Sequence, residues 1–174
     1  MTGIRGLRRT IASICAGLLA ACSFGFSGGG LPPGIHTVAV SAFDNDTADP
    51  TLAQLVQLAI KQGVESRLGL RAAAASQADA LVTGKVTRYD PDQPLSFHST
   101  AAAPGAANTV DVTRRQVELS VDVTVVDQKT GRTLFDGKNQ LVQGDYQPGH
   151  EEDGKRKALA LLVTKIIDGV HQNW

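Results

Sequence analysis

Hydrophobic and polar side chains alternate most strictly over residues 113–127. Every second residue in the middle of this stretch is apolar, namely Val117, Leu119, Val121, Val123 and Val125. The residues between them are polar, namely Glu118, Ser120, Asp122 and Thr124. Because successive side chains of a strand point to opposite faces, this pattern predicts a strand with one face on the core. The other face should be wet or covered by a partner.

Weaker patterns predict three more strands, over residues 35–43, 81–89 and 132–142. Apolar residues spaced three or four apart predict two helices, over residues 50–68 and 153–171. The predicted order is β-α-β-β-β-α, and the fold class is α+β. It is a two-layer sandwich in which both helices pack on one face of a mostly antiparallel four-stranded sheet. The helix between the first two strands allows these strands to be parallel, with a right-handed crossover.

Turn residues mark the ends of several predicted elements. We expect Asp49 to cap the first helix, Pro50 to occupy its first position and Gly69 to end it. Residues 90–112 contain three prolines, one glycine and no lysine or arginine. Because this segment has almost no periodicity, it is predicted to be a long, mobile hairpin excursion, and a poor site for a phosphorylated ligand.

The N-terminal segment has the features of a secretory signal. Arg5, Arg8 and Arg9 precede an apolar run that is too short to span a bilayer as a helix. The run ends in Leu19-Ala20-Ala21-Cys22, which resembles a bacterial lipobox. We therefore expect residues 1–21 to be a lipoprotein signal peptide, with Cys22 as the acylated new N-terminus. An ordinary signal peptide and a retained anchor remain the alternatives.

Acylation would decide where the mature protein resides. Stable anchoring needs more than one acyl chain, and a triacylated terminus meets that condition. By resemblance to bacterial lipoproteins, Ser23 after the cysteine implies the outer membrane, with the protein facing the periplasm. Residues 22–34 are rich in glycine and proline and are expected to be a tether. Residues 35–174 then form a single domain.

Composition narrows the possible functions of the mature chain. The whole chain has 17 basic and 17 acidic residues, and the signal removes three arginines and no acid, so the mature charge is −3. That balance argues against nucleic-acid binding. The other cysteine, Cys15, lies in the signal, so no disulfide or cysteine-based metal cluster is expected. The histidines have no ligand spacing and no nucleophile elbow or cofactor motif is present, so we expect no enzyme, cofactor or metal site.

Four stretches resemble the lipopolysaccharide-assembly lipoprotein family (LptE-like). They are residues 22–40, Phe43-Asp44-Asn45-Asp46-Thr47, residues 78–86 and Asp127-Gln128-Lys129-Thr130-Gly131. The resemblance covers the mature chain and agrees with the predicted order of elements. It implies a non-enzymatic protein that plugs an outer-membrane β-barrel of the LptD type in a one-to-one complex. The complex would deliver lipopolysaccharide to the outer leaflet, and the lipoprotein would also support assembly of the barrel.

The resemblance also implies that lipopolysaccharide is bound by basic residues near the central hairpin and the last helix. Here the hairpin tip carries no positive charge, so the candidates are Arg114 and Arg115 at its base and Lys155 at the start of the helix. Other outer-membrane lipoproteins of related build share similar strands and turns. An activator or secretion-pore subunit of the LpoB/CsgG-like group is therefore the alternative.

Overall fold

The computed structural model describes residues 34–100 and 109–172. The predicted signal peptide, the acylation of Cys22 and all of the tether before Gly34 lie outside these residues. Within them the chain forms two helices, α1 (Leu52–Leu68) and α2 (Glu151–Gln172). It also forms six strands, which are β1 (Thr37–Val40), β2 (Asp44–Asn45), β3 (Arg71–Ala72), β4 (Ala80–Thr100), β5 (Thr109–Asp127) and β6 (Thr133–Tyr146).

The strands form one mixed sheet in the order β3-β1-β4-β5-β6, with β2 paired to β4 outside this path. β1 is parallel to β3 and β4, whereas β4, β5 and β6 form an antiparallel meander. The α+β class and the parallel pairing across the first crossover are confirmed. The count of four strands is wrong, because β2 and β3 have two residues each, too few to show a period-two pattern.

Both helices and one face of the sheet contribute to a single hydrophobic core. Its largest fully buried side chains include Leu52, Ile60, Leu119, Leu134, Leu162 and Ile166. The five alternating apolar residues of β5 are all buried, which confirms the predicted core face. Two residues between them, Glu118 and Ser120, are buried as well and are hydrogen-bonded. The Gln143 amide donates to Glu118 over 3.2 Å, and the Ser120 hydroxyl donates to Asn139 over 2.6 Å.

The ends of the helices differ slightly from the predicted ends. Gly69 ends α1 in the left-handed conformation (φ 65°), as predicted. The N-cap of α1 is Thr51, and Asp49 instead accepts hydrogen bonds from the Thr51 amide (2.9 Å) and hydroxyl (2.7 Å). Pro50 therefore lies in the turn before the helix, not at its first position. α2 begins two residues earlier than predicted, with three acidic residues in its first turn.

Residues 90–112 belong to a hairpin, as predicted, but the expected lack of regular structure is wrong for the residues that the structure describes. β4 continues to Thr100 and pairs with β5 down to Thr109, so most of the segment is a regular hairpin. The register shifts between Asp90 and Gln93 and again between Pro94 and Ser96. Such bulges accommodate prolines, which cannot donate to a ladder, and they also erase the alternation that would have revealed the strand.

The hairpin projects beyond the rest of the sheet. The last residue of β6, Tyr146, pairs with Arg115. Residues 109–114 of β5, which precede Arg115, therefore have β4 as their only strand partner in the described part of the chain. We call this two-stranded part, formed by residues 95–100 and 109–114, the ribbon. With about 3.3 Å per residue, the six described residues of each ribbon strand extend for roughly 20 Å beyond the part of the sheet that includes β6.

Two glycines bring the start of α2 unusually close to β6. A Cβ atom on Gly144 would lie 1.9 Å from the carbonyl oxygen of Gly154, and one on Gly154 would lie 2.6 Å from the Tyr146 ring. Neither position has room for a side chain. This contact sets the height and the rotation of the first turns of α2 above the base of the ribbon.

Candidate functional site

A polar cleft of about 570 Å³ lies where the ribbon meets the start of α2, and we call it the basal cleft. It is lined by residues from β5, β6, the β6–α2 turn and α2, namely Arg114, Asp145, Tyr146, Gln147, His150, Asp153, Arg156 and Lys157. Three of these are cations and two are carboxylates, so the cleft is positively charged before any contribution from the histidine.

Asp145 joins the two sides of the basal cleft. Its carboxylate forms an ion pair with Arg114 of β5 and another with Lys157 of α2, the latter over 3.1 Å. Lys157 also donates to the backbone carbonyl of Asp145 over 2.8 Å. About half of each cationic side chain remains exposed, 53% for Arg114 and 52% for Lys157. An exposed ion pair contributes about 1 kcal/mol or less, so an anionic ligand could replace Asp145 as the partner of either cation at little cost.

The rim of the basal cleft is formed by the turn into α2. Arg156 forms an ion pair with Asp153, and 75% of its side chain is exposed. The Nδ1 atom of His150 lies 3.7 Å from the same carboxylate. Arg156 is therefore the most accessible of the three cations, and its planar guanidinium is suited to a phosphate group.

Arg115 lies outside the basal cleft and is part of a different cluster. It forms an ion pair with Asp92, whose carboxylate also accepts a hydrogen bond from the Tyr146 hydroxyl over 3.0 Å. The same hydroxyl donates to the carbonyl of Pro91 over 2.6 Å. Burial, together with the hydrogen bond to Asp92, raises the pKa of Tyr146 to about 12. This cluster fastens the bulged part of β4 to the end of β6.

Lys155 is turned away from the basal cleft towards α1. Its amine lies 3.0 Å from Glu152 and 3.9 Å from Glu151, and 5.8 Å from the centre of the Tyr89 ring. Only 13% of its side chain is exposed. Burial and the hydrogen bond to Glu151 raise the pKa of Tyr89 well above its usual range. Lys155 lines a second depression of about 430 Å³ between the helices. Arg67, Arg156 and Glu152 also line it, and most of its remaining lining residues are apolar.

Of the three predicted lipopolysaccharide contacts, only Arg114 lines the basal cleft. The cations that join it are Arg156 and Lys157, which directly follow Lys155 in the sequence. Consecutive residues of a helix point about 100° apart, so the sequence shows three basic residues but not which of them faces β6. That choice is made by the rotation of α2, which the close approach of Gly144 and Gly154 determines.

The end of the domain away from the ribbon carries a second polar cluster, around Asp79. Its carboxylate accepts hydrogen bonds from the backbone amides of His36 and Thr37, each over 2.9 Å, and forms an ion pair of 2.6 Å with Lys129. The bond from Lys129, followed by those from the amides, holds the pKa of Asp79 well below its usual range. Lys129 also donates to the carbonyl of Gly34 over 3.3 Å. The point where the tether joins the domain is thereby fixed to the β5–β6 turn.

The described residues contain no group of histidine, cysteine and acidic side chains arranged to hold a metal ion. Neither described helix has the length and apolar character needed to cross a bilayer.

Comparison with known proteins gives one family. A family model described as "LptE: Lipopolysaccharide-assembly" matches residues 35–171. No curated protein sequence matches the chain.

Several solved structures are similar to this chain at low sequence identity. A protein of the DUF330 family from Xanthomonas campestris is 9% identical, with a TM-score of 0.49 and coverage of 82% of this chain and 87% of that one. The PelC dodecamer from Paraburkholderia phytofirmans is 13% identical, with a TM-score of 0.45 and coverage of 77% and 87%. The lipoprotein GNA1162 from Neisseria meningitidis is 13% identical, with a TM-score of 0.41 and coverage of 78% and 98%.

Proposed function

Because the chain belongs to the LptE lipopolysaccharide-assembly family, we propose that it is an outer-membrane lipoprotein that plugs an LptD-type β-barrel translocon. In this role it helps to assemble the barrel and assists the transport of lipopolysaccharide to the outer leaflet. It forms a one-to-one complex with the barrel and catalyses no reaction. The observation that carries the proposal is the family match, which spans residues 35–171 and so includes every element described above.

The basal cleft supports the lipopolysaccharide part of this proposal. Lipopolysaccharide carries phosphate groups, and the cleft offers two guanidinium groups and one amine, all at least half exposed. We therefore assign Arg114, together with Arg156 and Lys157, to the phosphate contacts. Arg115 and Lys155 lie outside this cleft and their side chains are only 30% and 13% exposed, so their expected contribution to binding is smaller.

The proposed anchor is the acylated Cys22 in the outer membrane, on its periplasmic side. The tether between Cys22 and Gly34 has a length that limits the position of the domain. Twelve residues, fully extended, span at most about 40 Å. The Asp79 cluster, which fixes the strand that follows Gly34, would transmit this restraint to the whole sheet.

One observation favours the alternative, a pore subunit of the LpoB/CsgG-like group. Such a subunit needs a hairpin that inserts into the membrane, and the chain does have a projecting ribbon. However, the family match over residues 35–171 is to the lipopolysaccharide-assembly family and not to such a subunit. The plug therefore remains the main proposal.

Depletion of the protein tests the proposed function. The plug model expects less lipopolysaccharide at the cell surface, an accumulation of it further inside the envelope, and a loss of folded barrel. Complementation with Cys22→Ala should restore export poorly, because the anchor is missing. Unchanged surface lipopolysaccharide after complete depletion would refute the proposal.

A further inference from the structure

The ribbon exposes large apolar side chains that belong to neither the core nor the basal cleft. Phe97 and Val110 are each 60% exposed, and Leu95 is 46% exposed. Phe97 and Val110 are on paired strands two positions of the ladder apart, so they form a patch and are not scattered single residues. Patches of this kind on a soluble surface commonly mark a binding site.

The pairing register places these residues on one side of the ribbon. Phe97 is opposite Val112, and Ser99 is opposite Val110. Residues directly opposite each other share a face, and so do residues two apart on one strand, so these four side chains lie on one face. The pair between them, His98 and Asp111, lies on the other face. The ribbon therefore has an apolar face and a polar face.

The charges of the ribbon identify the kind of molecule that its apolar face can bind. Among the described residues of the ribbon beyond Arg114, the ionisable side chains are His98 and Asp111, both on the polar face. Without lysine or arginine, this face has nothing to attract a layer of anionic headgroups. It suits hydrocarbon.

The chain's own tether is too short to cover this face. Gly34 is held beside Lys129, at the end of the domain where β4 begins. Phe97 is 17 residues further along β4 than Ala80, which corresponds to roughly 55 Å. The aromatic residues of the tether, Phe24 and Phe26, are at most about 35 Å from Gly34 even in a fully extended chain.

The apolar face adjoins the basal cleft. Arg114 lines the cleft and pairs with Ser96 at the base of the ribbon, just before the register shift that leads to Phe97 and Val112. It is two positions from Val112, about 7 Å along the strand, although its partner Ser96 faces away from the apolar side. A cationic cleft thus lies beside the base of an uncharged apolar strip. This matches an amphiphile that carries phosphate at one end and acyl chains at the other.

We propose that the apolar face of the ribbon, formed by Phe97, Val110 and Val112, binds the acyl chains of lipopolysaccharide while the basal cleft holds its phosphates. The proposal rests on the function proposed above and adds a second subsite to it. In this proposal the projecting hairpin shields the acyl chains from water during transfer, whereas the cations of the basal cleft determine where the phosphorylated end is placed.

Photo-crosslinking in cells tests this with the full-length, acylated chain. A photoreactive amino acid is placed singly at positions 97 and 110 on the apolar face. Positions 98 and 111 are the matched controls on the polar face, and position 58 is the control for an exposed apolar residue elsewhere, since Leu58 on α1 is about half exposed. Position 147, which lines the basal cleft, reports on the phosphate subsite independently.

The expected result is a lipopolysaccharide adduct at positions 97, 110 and 147, and none at 98, 111 or 58. Two results would overturn the acyl subsite and leave the proposed function standing. The first is a lipopolysaccharide adduct at position 147 with none at positions 97 and 110. The second is a lipopolysaccharide adduct at position 147 while positions 97 and 110 crosslink to protein, either the barrel or a second copy of the chain. Absence of lipopolysaccharide adducts at all positions, with normal export after depletion, would overturn both.

A substitution provides a second readout. Phe97→Ser should reduce the lipopolysaccharide that co-purifies with the full-length chain by about tenfold, because a large exposed ring no longer contacts hydrocarbon. Leu58→Ser is the matched control and should leave this amount unchanged. Equal amounts for Phe97→Ser and the unaltered chain would contradict the proposal.

Discussion

Gly144→Ala tests how closely α2 must approach β6. The added Cβ would lie 1.9 Å from the carbonyl oxygen of Gly154 and 2.8 Å from the amide nitrogen of Ala158. Both are backbone atoms, so no side-chain rotation can relieve the overlap. The first turns of α2 must move away from the sheet.

The size of the effect follows from the atoms that have to move. Overpacking a well-packed site costs about 1–3 kcal/mol, and the upper end applies here because backbone must shift. We expect a loss of about 3 kcal/mol in the free energy of unfolding. For a domain of this size that corresponds to a decrease of about 10 °C in Tm.

Gly131→Ala is a matched control. Gly131 has a positive φ of 71°, and a Cβ there would meet no atom within 4 Å. Its cost is therefore the strain of a left-handed alanine, about 1 kcal/mol. Thermal unfolding of the full-length variants, followed by circular dichroism, measures both. If Gly144→Ala is no less stable than Gly131→Ala, the described contact between β6 and α2 is wrong, and with it the position of Arg156 and Lys157.

Three further predictions concern the polar clusters. Arg114→Ala and Lys157→Ala should each weaken lipopolysaccharide binding in a pull-down assay by about 5- to 10-fold, while the free energy of unfolding changes by about 1 kcal/mol or less. Lys165→Ala is the control: it removes a comparable bond from α2 to β6 outside the cleft and should bind lipopolysaccharide normally. Hydrogen bonds lower the pKa of Asp79 from 3.8, so its ionised form stabilises the fold above that pH, and this stabilisation is lost as the pH falls below it. Asp79→Asn should therefore lower Tm more at pH 7 than at about pH 2.5. An equal decrease at both pH values would contradict this. Tyr146→Phe leaves the Pro91 carbonyl without its hydrogen bond and should cost about 1–2 kcal/mol in chemical denaturation; an unchanged midpoint would show that the bond contributes nothing.

The elements with a strong period could be predicted from the sequence. The two apolar helical stripes predicted α1 and α2 to within two residues, and the alternation around Val121 predicted β5 to within four. Gly69 was correctly predicted as the end of α1. The ribbon was missed because bulges near Pro91 and Pro94 interrupt the alternation on β4. β2 and β3 were missed because a two-residue strand contains no period.

The candidate site was only partly predictable for a different reason. The sequence showed that basic residues cluster at the hairpin base and at the start of α2. Which of them face one another depends on the contact between Gly144 and Gly154, whose partners are ten residues apart and belong to different elements. A glycine in a strand indicates a close approach but does not name the group that approaches. Arg114 is therefore the one predicted contact that lines the basal cleft, whereas Arg156 and Lys157 were not among the predicted contacts.

The most direct test of the central claim is affinity purification of the full-length protein from solubilised outer membrane, followed by identification and quantification of what accompanies it. The account predicts a single large β-barrel protein of the LptD type, present in a one-to-one ratio with this chain. Recovery of the chain as a ring of its own copies, or with a soluble periplasmic protein and no barrel, would contradict it.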